Sequence, residues 1–247
     1  MNLSGDILKG WRGRLLVWAA LAVLVLVFFR SWIGSGLPAS PRREALAPFT
    51  YIWQVAQYIR DGHLYVDWDP SFFSGYPWLR FLQSTVYYLA ALLSLLPGMS
   101  LALALKVFII ATYIASAWTM CELVRTVVRQ RGDDEAIAWA AGLVAGAAYA
   151  VFPCHMRLGI EIISHGSFWA ILPLPLLAYE RRRDAPLPIG VAFALYGIVD
   201  IEHALLVGPF AALYILLREL PRLRCEWRTT VRTLFIAALV ALALLAF

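Results

Sequence analysis

The sequence predicts an all-α membrane protein of about seven transmembrane helices, with a large first external loop that carries juxtamembrane helices. Three observations lead there. Of 247 residues, 62% are hydrophobic and only 15% charged, outside the range of ordinary soluble domains. The mean hydropathy is +0.72, and the apolar residues are gathered into runs. The 21 Lys and Arg residues fall in short clusters between those runs, so the net charge of +5 reads as a set of topology signals and not as a nucleic-acid surface. Cys121, Cys154 and Cys225 show neither disulfide nor zinc spacing, and read as packing residues.

Taken in order, the first apolar run covers residues 15–33, behind Lys9, Arg12 and Arg14. Its basic start and the small residues after it also fit a cleavable signal peptide, but Trp32 and Ile33 carry the run past Arg30, which favours an uncleaved anchor. Further runs occupy residues 87–96, 101–124, 136–152, 167–179, 187–201, 204–217 and 233–247. The run at 87–96 has ten residues. That is about 15 Å of helix, too short to cross a core of about 30 Å unaided.

Positive charge decides whether it crosses, because cytoplasmic loops carry the excess of Lys and Arg. If it does not cross, the inner side holds Lys9, Arg12, Arg14, Arg125, Arg129, Arg131, Arg181, Arg182, Arg183, Arg218, Arg222, Arg224, Arg228 and Arg232, fourteen in all. The outer side then holds six: Arg30, Arg42, Arg43, Arg60, Arg80 and Arg157. A crossing reverses the balance to four inside and sixteen outside. The expectation is therefore seven spans in a cell membrane, a cytoplasmic N-terminus, and a first external loop over residues 34–100. Residues 187–217 are expected to be two short helices meeting at VDIEH, since one long helix would bury Asp200, Glu202 and His203 near mid-membrane. The whole chain reads as one module, 1–247, and its stop inside an apolar run at Phe247 is the pattern of a longer protein cut short.

This topology puts all four histidines outside or at the outer boundary, with Glu44, Asp61, Asp67, Asp69, Glu161, Asp200 and Glu202. The inner acids Asp133, Asp134, Glu135, Asp184, Glu219 and Glu226 are interleaved with arginines and read as solvated loop charges. A reactive site, if the chain has one, is thus expected outside. Within the first loop, Phe49, Ile52, Trp53, Ala56 and Ile59 recur at helical spacing, the pattern of an amphipathic helix along the membrane surface. Glu44 stands at its start, where a carboxylate complements the helix dipole.

The order Arg43-Glu44, aromatic-rich helix, Gly62, Trp68-Asp69-Pro70 and Gly75-Tyr76-Pro77 resembles the first external loop of GT-C membrane glycosyltransferases. It is most similar to the bacterial and archaeal membrane proteins classed as 6-pyruvoyl-tetrahydropterin synthase-related. Tyr149 to Pro153, Arg157 with Gly159 and Glu161, the LPLPLLA segment and His203 extend the similarity over most of the chain through short motifs. The resemblance implies transfer of a sugar from a polyprenyl-phosphate donor to an extracytoplasmic acceptor, with an acid of the first loop as base. Carried over by position, that base is Glu44, with Glu in place of the usual Asp and Arg43 in place of the usual His.

The chemistry asks for a carboxylate within hydrogen-bond reach of the attacking hydroxyl. Asp67 and Asp69 spell D-x-D, a pair of oxygen donors suited to Mg²⁺ or Mn²⁺, although a cap on the Pro70 turn accounts for Asp69 equally simply. Tyr76 belongs to the aromatic surface on which a sugar would rest. His155, Arg157, Glu161 and His165 precede a helix start and would form a second polar wall, with Arg157 suited to a phosphate group. His203 beside Glu202 completes the set; a lone imidazole there also fits a purely structural role. The rival reading is a non-catalytic lipid or polymer transporter, or an assembly subunit of the same fold.

Overall fold

The computed structural model describes residues 11–34, 47–63, 84–152 and 163–246. All regular structure among these residues is helical. The elements are α1 (Trp11–Phe28), α2 (Arg30–Gly34), α3 (Ala47–Arg60), α4 (Ser84–Ser94), α5 (Leu101–Gln130), α6 (Glu135–Ala150), α7 (Ile163–Ile171), α8 (Leu174–Arg181), α9 (Pro186–Val199) and α10 (Ile201–Leu245). Three stretches are long and apolar enough to cross a membrane: Leu101–Gln130, Ile201–Arg222 and Cys225–Leu245. Leu205, Leu206 and Phe210 on α10 are each about 70% exposed, a large apolar surface that suits contact with lipid.

Contacts between helices fix their directions. Trp18 stacks on Trp118 and Phe29 on Tyr113, so α1 runs antiparallel to α5. Helices α5 and α6 form an antiparallel hairpin in which Gly142 and Gly146 meet α5 backbone directly. A Cβ on Gly146 would stand 2.5 Å from the Ala117 carbonyl oxygen, and one on Gly142 would stand 2.7 Å from that of Cys121. This is the close approach that small residues four apart permit between apolar helices. Cys121 is buried in that seam and Cys225 is exposed. Helices α7 and α8 follow α5 in the same direction: Thr119 donates to the Ala170 carbonyl, and eleven residues further along α5 Gln130 donates to the Glu180 carbonyl. Helix α9 returns, and the two arms of α10 go down and back. Among the described residues, and leaving aside the short α2, α3 and α4, the seven lengths α1, α5, α6, α7–α8, α9 and the two arms of α10 alternate in direction.

Two predicted runs are broken. The run at 167–179 is split into α7 and α8 around Leu172 and Pro173, because proline supplies no N–H to the helix ladder. At the break the Leu172 carbonyl accepts from the Tyr196 hydroxyl. The run at 15–33 is interrupted at Phe29, between α1 and α2. The expected split at VDIEH is present: α9 stops at Val199, Asp200 is extended (φ −159°, ψ 98°), and α10 begins at Ile201. Helix α10 bends at Glu226, whose φ of −128° and ψ of 34° are not helical.

The amphipathic reading of the first loop gives α3, with one correction. Ile52, Val55 and Ala56 are buried against α4 and α5, whereas Trp53, assigned to the apolar face, is 51% exposed. Helix α3 closes on Gly62 (φ +85°), with Gly62 N–H donating to Ile59 and His63 N–H to Tyr58. That is a Schellman stop, and it explains why this position is glycine: a left-handed residue carries no Cβ penalty there.

Candidate functional site

Of the residues predicted from sequence, His203 stands at the α9–α10 corner. His203 is the predicted site residue whose side chain is described. Its backbone N–H donates to the Asp200 carboxylate at 3.0 Å, so Asp200 caps α10. Its Nδ1 lies 3.0 Å from the other Asp200 oxygen. Asp200 has no solvent exposure. A carboxylate against Nδ1 fixes the ring's orientation and turns Nε2 away from the cap. The imidazole also sits 5.4 Å from the ring of Phe168, which packs on Tyr196 at 4.9 Å.

Phe168 belongs to α7, and His165 lies one turn earlier in that helix, in its first turn. Helix α4 touches both α7 and α9, and Asp200 is within electrostatic range of the Tyr87 phenol. Tyr87 in turn meets Tyr51 of α3, ring centres 5.4 Å apart. Glu44, Asp67, Asp69, Tyr76, His155, Arg157 and Glu161 lie outside the described residues, as does Cys154. The described helices that follow those residues in sequence are α3, α4 and α7; α4 and α7 meet α9, and α3 packs on α4. Among the described residues, no three His, Cys, Asp or Glu side chains are gathered as a metal centre.

The other end of the bundle holds the arginine clusters, and there the structure corrects the reading of solvated charges. Glu135 and Glu219 are buried, as are Glu122 and Glu180. The Glu180 side chain has no exposure. It accepts from Arg218 Nε (3.0 Å) and Nη2 (3.1 Å), from the Tyr214 hydroxyl (2.8 Å) and from Arg183 (3.3 Å). Burial alone would raise its pKa; the hydrogen bonds from Arg218 and Tyr214 outweigh burial and hold the carboxyl below its usual range.

Each neighbouring acid is engaged in the same way. Glu219 accepts from Tyr179 (2.5 Å) and Thr230 (3.2 Å). Glu135 holds Arg125 (2.7 Å) and Arg129 (2.5 Å), and Arg125 stacks on Trp139 at 4.1 Å. Glu122 takes Arg181 and Arg125. Asp133, Asp134, Asp184 and Glu226 are exposed, as expected. The cluster ties α5, α6, α8 and both arms of α10 together, and its acids are committed acceptors with little capacity left to act as a base. The sequence signal was available in part: Glu122 precedes the first arginine of its cluster by three residues and Glu180 abuts Arg181 on the apolar side, whereas Glu219 sits inside its cluster, directly after Arg218. An acid placed just inside an arginine cluster has to be paired or neutral.

No family model, curated protein or solved structure matches this chain. The geometry therefore stands on its own as the basis for a functional reading.

Proposed function

We propose that this chain is a GT-C-like membrane glycosyltransferase that moves a sugar from a polyprenyl-phosphate donor to an extracytoplasmic acceptor. The observation that carries this reading is the meeting of α4 and α7 with α9, which ends at the Asp200–His203 corner, with α3 packed on α4 through Tyr51 and Tyr87. Those helices border the segments that hold Glu44, Asp67, Asp69, Arg157 and Glu161. In this reading the seven alternating lengths are seven spans, the arginine end faces the cytoplasm, and the corner faces outward. Glu44 is the base that takes the acceptor's proton, and Arg157, before the start of α7, meets the departing phosphate. His203, held by Asp200, positions the sugar.

The decisive experiment is transfer of radiolabelled sugar from a polyprenyl-phosphate donor in membranes containing the full chain. Glu44→Gln is expected to lower transfer by about a hundredfold or more while leaving the protein folded. Undiminished transfer by that variant overturns the assignment of Glu44. Reporter fusions after Arg131 and Arg183 should report cytoplasm, and a fusion near His165 should report the outside.

A further inference from the structure

Two open bowls lie side by side at the arginine end. One, of about 560 Å³, is floored by the α8–α9 turn from Arg181 to Ala185; the other, of about 410 Å³, is walled by Arg125 and Arg129. They share Gln130, Glu180 and Arg181, so they are two lobes of one depression. Five arginines line it with two acids, Glu180 and Asp184, while Glu122 and Glu135 stand behind Arg125, Arg129 and Arg181. None of these acids pairs with Arg182 among the described residues. Glu180 is enclosed by its own donors, and Asp184 is drawn to Arg222 at 3.1 Å, outside the depression.

The arginines keep capacity to spare. Arg129 and Arg181 remain 50% and 45% exposed although each holds a carboxylate. Arg183 holds Glu180 and Gln130 only at 3.3 and 3.4 Å. Arg182 is exposed and has no ion pair among the described residues. From the rim, α9 begins at Pro186 without a capping side chain on Ala185. It then presents Leu187 and Val191, four residues apart and 61% and 37% exposed, as an apolar track leading away from the charges.

A fork of guanidinium groups beside an apolar track suits a ligand with a phosphate at one end and an acyl chain at the other. We propose that this depression binds the phosphate of an anionic phospholipid headgroup, with an acyl chain along Leu187 and Val191. The site does not depend on sugar transfer; it requires only that this end of the bundle meets the membrane surface. Its role would be to anchor the arginine end to an anionic leaflet and fix the depth at which the helices sit.

The test is native mass spectrometry of the full chain in detergent, titrated with dioleoylphosphatidylglycerol or dioleoylphosphatidylcholine, with sn-glycerol 1-phosphate as a soluble competitor. Phosphatidylglycerol should be retained in preference to phosphatidylcholine, and Arg182→Gln should weaken its retention by about fivefold, the usual effect of one arginine at an anionic surface. Arg182→Gln/Arg183→Gln should weaken it further, whereas Arg131→Gln, in the α5–α6 turn outside the depression, should leave it within about twofold. Arg182 is exposed and makes no ion pair among the described residues, so the single variant decides the matter even if the double variant unfolds. Equal retention of the two lipids, or unchanged retention by Arg182→Gln, overturns the proposal. Displacement by glycerol phosphate at concentrations matching the lipid's own affinity, without any preference between lipids, also overturns the lipid assignment and leaves a soluble phosphate ligand.

Discussion

At the arginine end, Glu180 receives four hydrogen bonds from Arg218, Tyr214 and Arg183, and neighbouring carboxylates repeat the pattern across α5, α6, α8 and both arms of α10. At the corner end, Asp200 caps the His203 N–H in the first turn of α10 and meets the ring of the same residue. The first arrangement is long-range and redundant, joining residues such as Gln130 and Arg218 that are 88 positions apart. Among the described residues the second joins its elements through aromatic rings: Tyr51 on Tyr87, Phe168 on Tyr196 and His203. Among the described residues the two ends therefore differ in kind, with charged hydrogen bonds spanning long separations at one and ring contacts at the other.

If that contrast is real, Glu180→Ala should produce the largest loss of stability of any single change considered. It leaves Arg218 and Arg183 beside a buried void, but at 39% and 30% exposure both can turn to solvent, so the cost should be about 2–3 kcal/mol, below the roughly 3–5 kcal/mol of a fully buried pair. Reversible unfolding in detergent, followed by helical circular dichroism, measures it directly. A loss below about 1 kcal/mol would mean that the arginines escape to solvent and that the clamp is only a surface feature.

Acid should undo the same clamp progressively. The folded pKa of Glu180 is depressed, so its contribution is fully present above the unfolded carboxylate value of about 4.3 and is lost as pH falls through the folded value. Midpoint denaturation temperatures should therefore be flat from about pH 7 to pH 5 and fall below about pH 4. In Glu180→Ala that part of the acid loss should disappear. An equally steep fall in the variant would move the acid sensitivity to other carboxylates.

How much of this was legible in the sequence depended on the length scale of the interaction. Local signals read well: the Asp200 break and the amphipathic α3 each rest on residues within one or two turns. So did the grouping of basic clusters on one side, since residues near Arg129, Arg183 and Arg218 do meet. Trp53 was misplaced because helical spacing admits a wide apolar stripe, and the choice between Val55 and Trp53 for the buried side is made by α4 and α5. The buried acids were misread for a related reason. Whether a glutamate beside arginines is solvated or enclosed depends on partners such as Tyr214, 34 residues away from Glu180, and no short pattern encodes that. The breaks at Phe29 and Pro173 lay inside continuous apolar runs, where hydropathy is blind to backbone geometry.

The smallest effect belongs to the corner, and it separates capping from charge. Asp200→Ala removes the acceptor for the His203 N–H and should cost about 1 kcal/mol, the usual worth of a helix N-cap. Asp200→Asn keeps an oxygen in the same place, and asparagine caps as well as aspartate, so it should cost only a few tenths of a kcal/mol in stability. It nevertheless removes the negative charge facing Nδ1 of His203. Under the proposed function Asp200→Asn should therefore lower sugar transfer by roughly as much as His203→Ala while leaving unfolding almost unchanged. If both variants at Asp200 lose stability to the same degree and neither disturbs transfer beyond that loss, the corner is a structural hinge between α9 and α10, and the difference between the two ends of the bundle is one of strength alone.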